Sequence, residues 1–185
     1  PQLLCEMKLP YKSWLTAWNF FEKHFLEKRV SFEYQCGNRE KVLEIAFKKQ
    51  HFCHLCGISY TRGSKRFVDD LKRHKVVEKA VIFSEDKNKI LQKQFCLDQI
   101  DLLLTDKIRV CERGNFVNLQ FDYGLRTNRE IFAMTCLYTE NGYSVPNSLI
   151  NLRSNKGRSK SFRKSYSVTS IYYIDKNTRE KHRII

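Results

Sequence analysis

Apolar residues recur every three or four positions in YKSWLTAWNFFEKHFLEKR, where Trp14, Trp18, Phe21, Phe25 and Leu26 mark one face of a helix. The next apolar positions alternate instead. Val30, Phe32 and Tyr34 in VSFEYQC, then Leu43, Ile45 and Phe47 in KVLEIAFKK, have the period of a half-buried strand, and GNRE between them makes the pair a β-hairpin. HFCHLCGIS reads as a short helix stopped by Gly57. Helical spacing with basic outer faces returns in SKRFVDDLKRHKVVEKAVI and KNKILQKQFCLDQIDLLLTD. From about residue 108 the texture changes to strands: IRVCE, FVNLQFDY, EIFAMTCLYTE, YSVPNSLINL and YSVTSIYYID, with ENGY as a turn. An N-terminal helix and hairpin, a helical middle and a final meander predict an α+β domain, its antiparallel sheet carrying helices on one side. No internal repeat interrupts this order.

A chain of 185 residues is expected to form a single domain over residues 1–185. Its opening on Pro1 fits either removal of a Met or the C-terminal module of a longer protein. With 42% hydrophobic and 13% aromatic residues, a disordered chain is excluded. The 34 Lys and Arg outnumber 20 Asp and Glu, giving a net charge of +14 and a pI near 9.5, an excess that favours a polyanionic partner, most often nucleic acid. The seven cysteines (Cys5, Cys36, Cys53, Cys56, Cys96, Cys111, Cys136) are odd in number, and several sit in apolar runs, so reduced thiols are expected. No apolar run has the length of a membrane span, and no signal-peptide pattern opens the chain. The expected site of action is the cytoplasm, reached either by synthesis there or by delivery within a larger toxin, with no membrane partner.

One segment is set apart by charge. NLRSNKGRSKSFRK, residues 151–164, carries Arg153, Lys156, Arg158, Lys160, Arg163 and Lys164 with no acid among them. Serines, an asparagine and Gly157 intervene, so it reads as a flexible cationic loop between two strands, with Phe162 available to stack on a base. Uncompensated charges at this density repel unless an anion lies nearby, which points to phosphate contact.

The stretch KKQHFCHLCGISY concentrates the candidate chemistry. Cys53 and Cys56 have the spacing of half a zinc knuckle, but no other CxxC, HxxxH or CxxH supplies the remaining ligands. A thioredoxin-like pair wants βαβ alternation, which is missing after the motif. Packing is the better account of the thiols, with Phe52, Leu55, Cys56 and Ile58 forming the apolar face and Cys53 at its margin. His51 and His54, three apart, flank that face. Two positioned histidines, or one with a tyrosine, are enough for RNA cleavage without a metal. The alternative for either histidine is a purely structural role.

The run from Leu43 to Ile58, L-x-I-x-F-x-K-x-H-F-x-H-L-x-G-I, following an amphipathic helix and a hairpin, resembles the mobile-element nuclease-like domains of the barnase–EndoU–colicin–RelE superfamily, and more narrowly its Firmicute and phage group with an HFxHLxGL-type motif. FDYGL (Phe121–Leu125) and SF (Ser161–Phe162) before the last strand are similar to later features of that group, so the resemblance runs through most of the chain. It implies an α+β fold of the barnase–EndoU–colicin–RelE type and a metal-independent ribonuclease-type site, found in toxins or phage-borne effectors. By position, His51 and His54 match the motif histidines, and Ser161 and Phe162 match the late pair.

The expected function is a metal-independent endoribonuclease that cleaves tRNA or another structured RNA by 2′-OH attack, without a cofactor. The alternative is a non-catalytic nucleic-acid-binding module of a phage or mobile element. A zinc- or redox-dependent protein centred on Cys53 and Cys56 is a third reading. On the first, His54 leads as acid or base and His51 is second. Arg158 and Lys160 clamp phosphate, Ser161 joins the catalytic group, and Tyr166 or Tyr123 orients the scissile group. Arg153, Lys156, Arg163, Lys164 and Phe162 bind nucleic acid alongside Tyr123. A basic toxin of this kind calls for an acidic immunity protein or antitoxin.

Overall fold

The computed structural model describes residues 8–185, so Cys5 lies outside the described residues. Helix α1 (Tyr11–His24) starts directly after Pro10, a position where a missing N–H costs nothing, and the Pro10 carbonyl accepts the Trp14 N–H at 3.0 Å. Lys23 lies in its last turn, where positive charge suits the carbonyl end. The apolar stripe is the buried face. Phe21 stacks on Phe47 at 4.5 Å, Trp18 meets Phe52 edge-on at 5.4 Å, and Trp14 meets Phe67 at 5.3 Å. One helix thus joins the end of the hairpin to the two helices that follow it.

The hairpin is strands β1 (Lys28–Cys36) and β2 (Arg39–Ala46), in unbroken register from Arg29 opposite Ala46 to Cys36 opposite Arg39. The motif forms helix α2 (Phe52–Cys56), closed by Gly57 in the left-handed region at φ 72°. Strand β3 (Ile58–Tyr60) and helix α3 (Ser64–Lys72) come next. The helical spacing predicted through residue 82 ends early. The Lys75 N–H turns back to the Asp70 carbonyl, His74 takes φ 55°, and Val81–Phe83 becomes strand β4, paired antiparallel with β3. Buried Asp70 accepts hydrogen bonds from Tyr60, Arg62 and Arg66, tying α3 to β3. Helix α4 (Lys87–Leu97) is capped by Asp86, whose side chain accepts the Lys89 N–H at 3.0 Å. It stops at Leu97, ahead of a 3-10 turn over Ile100–Leu104, so the predicted long helix is also shorter than its spacing suggested.

The second half supplies β5 (Arg109–Phe116), β6 (Leu119–Arg126), β7 (Phe132–Tyr138), β8 (Ser144–Asn151), β9 (Tyr166–Asp175) and β10 (Lys181–Arg183). The spatial order is β1-β2-β8-β7-β6-β5-β9-β10, and β1 also pairs with β9 from Lys28 opposite Asp175 to Tyr34 opposite Val168. That pairing closes the sheet into a barrel, with β10 hanging on β9. The sheet is antiparallel except where β2 meets β8 at Ile45 and Ser144. Helices α2 and α4 pack on β8. The predicted α+β class and antiparallel sheet are therefore present, and closure is the added feature.

Residues 151–164 are an ordered strap rather than the predicted flexible loop. They form 3-10 turns over Arg153–Arg158 and Lys160–Phe162. Asn151 accepts the Ser154 N–H, Asn155 donates to the Asn151 carbonyl and to Gln92, and the Ser161 hydroxyl accepts the Asn115 N–H. A second core lies beneath the strap, built from Cys111, Phe121, Ala133, Ile150, Leu152 and Phe162. Phe162 stacks on Phe121 at 4.8 Å and 8°. Its carbonyl accepts Arg126 Nε at 2.8 Å.

Candidate active site at the barrel mouth

The hairpin register sets Tyr34 opposite Lys41, so both side chains leave the same face of the sheet. On β5, Glu112 lies two residues beyond buried Val110 and therefore points to the same side, opposite Tyr123 of β6. Val110 is itself opposite Tyr166 at the start of β9. Barrel closure brings these strands around one opening. The Tyr34 and Tyr166 rings are 5.8 Å apart, and those of Tyr123 and Tyr138 are 6.5 Å apart.

Glu112 is the hub. Tyr34 Oη donates to Glu112 Oε1 at 3.2 Å, and Lys41 Nζ donates to the same oxygen at 2.6 Å. Neither bond uses Oε2. The Lys41 bond, with help from Tyr34 and the charge of Lys164, holds the Glu112 carboxyl below the usual range against the opposing pull of burial. Glu112 is thus ionised near neutral pH. Its bond to Glu112 raises Lys41, which stays an ammonium. Burial, then Glu112, pushes the Tyr34 phenol up, and a hydrogen bond with the Cys36 thiol raises that of Tyr166. Both phenols are donors near neutral pH. Beside them lies a cavity of about 410 Å³ lined by Lys41, Glu112, Arg113, Asp122, Tyr123 and Tyr138. Arg113 and Asp122 pair at 3.3 Å along its rim. A fixed carboxylate, an ammonium and neutral phenols around one opening can take a proton, hold a phosphate and give a proton back.

The residues read from the sequence fall in three places. Tyr123 and Tyr166 stand in the mouth, and Lys164 is close enough to Glu112 to act on its charge. His51 caps the start of the motif helix, partly buried with its ring 6.0 Å from that of Phe47. His51 Nδ1 accepts the Lys48 N–H at 3.0 Å, a capping bond, and burial with the charges of Lys48 and His54 pushes its pKa down to about 4. It is neutral near pH 7 and its Nδ1 lone pair is engaged. His54 is exposed. Arg153, Lys156, Arg158, Lys160, Arg163 and Lys164 are all exposed along the strap, none in an ion pair among the described residues. Ser161 uses its hydroxyl against the backbone of β5. Phe162 requires a correction: at 1% exposure it is a core residue and has no face to offer a base.

The thiols of the motif are buried. Burial pushes Cys53 up to about 12 and Cys56 well above its ordinary value, so neither is a thiolate. Among the described residues no three His, Cys, Asp or Glu side chains converge as a metal site would need. The sequence reading missed Glu112, Lys41 and Tyr34. A faint signal was there: a two-residue turn at Gly37 and Asn38 forces Tyr34 opposite Lys41, and Glu112 falls on the apolar phase of its strand.

No curated protein and no solved structure matches the chain. A family model does, over residues 15–184, nearly the whole length and every residue of the mouth. The closed α+β sheet and the polar constellation within it therefore belong to a chain that is a member of the phage-Barnase-EndoU-ColicinE5/D-RelE like nuclease4 family.

Proposed function

We propose that the chain is an endoribonuclease whose reaction takes place at the barrel mouth. In this reading Glu112 accepts the ribose 2′-OH proton, the freed O2′ bonds to the adjacent phosphorus, and the P–O5′ bond breaks. Tyr166 gives its proton to the departing O5′. Lys41 stabilises the charge on the phosphorane oxygens, while buried Tyr34 holds Glu112 in place through its hydroxyl. The products are a 2′,3′-cyclic phosphate and a free 5′-OH, and no step requires a metal-bound water. The observation that carries the reading is the convergence of Lys41 and Tyr34 on one oxygen of an ionised Glu112 beside an open cavity.

The strap supports RNA as the substrate, because its six cations, in no ion pair among the described residues, offer a phosphate track leading to Lys164 at the mouth. The same track supports the second reading, a binding module without catalysis. A toxin or phage effector acting on tRNA in a cytoplasm, restrained by an acidic immunity protein or antitoxin, is the biological setting we infer from the charge of +14 and the family. Incubation with total tRNA in EDTA, followed by analysis of the new 3′ ends, tests the function. Cyclic phosphate ends are expected, and a single 2′-deoxy residue at the cut should block cleavage without blocking binding. A mobility shift with intact RNA would leave the binding module instead.

A further inference from the structure

A separate cleft of about 570 Å³ opens between α4, β8, the tip of the β5–β6 hairpin and the strap. It shares no lining residue with the mouth cavity. Lys93 lines it at only 6% exposure, and its ammonium donates to Ser148 Oγ at 2.9 Å and to the Leu149 carbonyl at 3.1 Å. Both acceptors are neutral. Among the described residues no carboxylate pairs with Lys93, and nearby Glu85 is engaged by Lys89 at 3.6 Å. An ammonium buried without a counter-charge is costly, so such groups are held where an anion comes to them or where they give up the proton. Burial lowers the Lys93 pKa.

The cation has a built seat. A Cβ on Gly57 would lie 2.7 Å from Lys93 Cδ, and Gly57 sits at φ 72°, so both space and backbone conformation reserve the position for glycine. The glycine that ends HFCHLCG thereby makes room for the Lys93 stem. Around it, Phe116, Leu119 and Ile150 give an apolar wall, Asn118 offers an amide, the lining carboxylates Glu85 and Asp86 are engaged by the ammonium and the backbone N–H of Lys89, and exposed Arg158 adds a second cation with no carboxylate partner among the described residues.

We propose that this cleft binds a nucleotide through its phosphate, with Lys93 and Arg158 on the phosphate and the base against Phe116 and Leu119. A free mononucleotide and one nucleotide unit of an RNA strand crossing the strap present the same chemistry. The site does not depend on the reading of Glu112 and would hold in a protein that cleaves nothing.

Calorimetric titration with 5′-AMP and with inorganic phosphate is the test, alongside anisotropy with a non-cleavable 2′-O-methyl oligoribonucleotide. Wild-type protein should bind AMP, and Lys93→Met and Arg158→Ala should each weaken it by about tenfold or more. Arg158 is exposed, so its variant keeps the test open if Lys93→Met does not fold. Parallel losses for AMP and the oligonucleotide assign the cleft to a strand; a loss for AMP alone assigns it to a free nucleotide. AMP binding that survives both variants but falls in Lys41→Met would place the nucleotide at the mouth and overturn the proposal. So would an absence of any AMP, phosphate or oligonucleotide binding at millimolar probe.

Discussion

Removing the Phe162 ring should detach the strap from the sheet and destabilise the whole chain. Phe162 is fully buried, stacked on Phe121 at 4.8 Å and within 6.1 Å of Phe116. Truncating a buried Phe to Ala typically costs ~3–5 kcal/mol, the spread reflecting how far the surroundings collapse. Collapse is limited here. One wall is the Gly124 backbone, whose missing Cβ would lie 3.3 Å from the Phe162 ring, and backbone in mid-strand cannot move in to fill a void. A cost of ~4 kcal/mol is therefore expected, which for a domain of this size lowers Tm by roughly 8–16 °C. Urea titration followed by tryptophan fluorescence measures it, and Trp14 and Trp18, buried in the other core, report global rather than local loss. The reciprocal change, Gly124→Ala, should cost ~1–3 kcal/mol by crowding the ring. A loss below ~1 kcal/mol for Phe162→Ala would mean that the strap is not held by its ring, and the flexible-loop reading would return.

Three further outcomes follow from named groups. Replacing Arg153, Lys156, Arg158 and Lys160 with Ala should lower the slope of log K for RNA against log salt by about 3, at ~0.7 per lost phosphate contact; an unchanged slope would move the polyanion surface elsewhere. His51 has a folded pKa of about 4, below its ordinary value of 6.5, so the unfolded chain binds the proton first and stability falls as pH drops from 6.5 toward 4. His51→Ala should flatten that limb while losing the Lys48 cap, at about 1 kcal/mol near neutral pH, and an unaltered limb would show that His51 is not the group. Cys53→Ser with Cys56→Ser should destabilise by roughly 1–3 kcal/mol per buried hydroxyl, with RNA binding retained; wild-type folding that depends on added zinc would contradict the packing role of these thiols.

What could be read from the sequence is what local spacing encodes. The α1 stripe, the β1–β2 hairpin, the Gly57 stop and the strands from β5 to β9 all follow from period, turn chemistry and a glycine at positive φ. The failures share a cause. The α3 spacing ran on past Lys72 because the Tyr60–Asp70 bond and the β3–β4 pairing that end it are non-local. The strap looked flexible because its polar composition hides one anchor, Phe162, whose partners Phe121 and Cys111 lie far away in sequence. Of the residues around the candidate mouth, Tyr123, Tyr166 and Lys164 stand out in the sequence, whereas Glu112 met Lys41 and Tyr34 only when β1 paired with β9. Sequence prominence drew attention to His51 and His54, yet that motif caps a turn, fills a core and makes room for Lys93.

The central claim is that proton transfer takes place at Glu112. Single-turnover cleavage of one defined RNA by wild type, Glu112→Gln and His54→Ala, at equal and saturating protein, tests it most directly. Gln keeps the shape and the Tyr34 and Lys41 neighbours but cannot accept the 2′-OH proton. Glu112→Gln should therefore slow cleavage by about 10²–10⁴-fold with RNA affinity retained, and His54→Ala should stay near the wild-type rate. Wild-type cleavage by Glu112→Gln, with the rate lost in His54→Ala, would contradict the account and return the chemistry to the motif histidines.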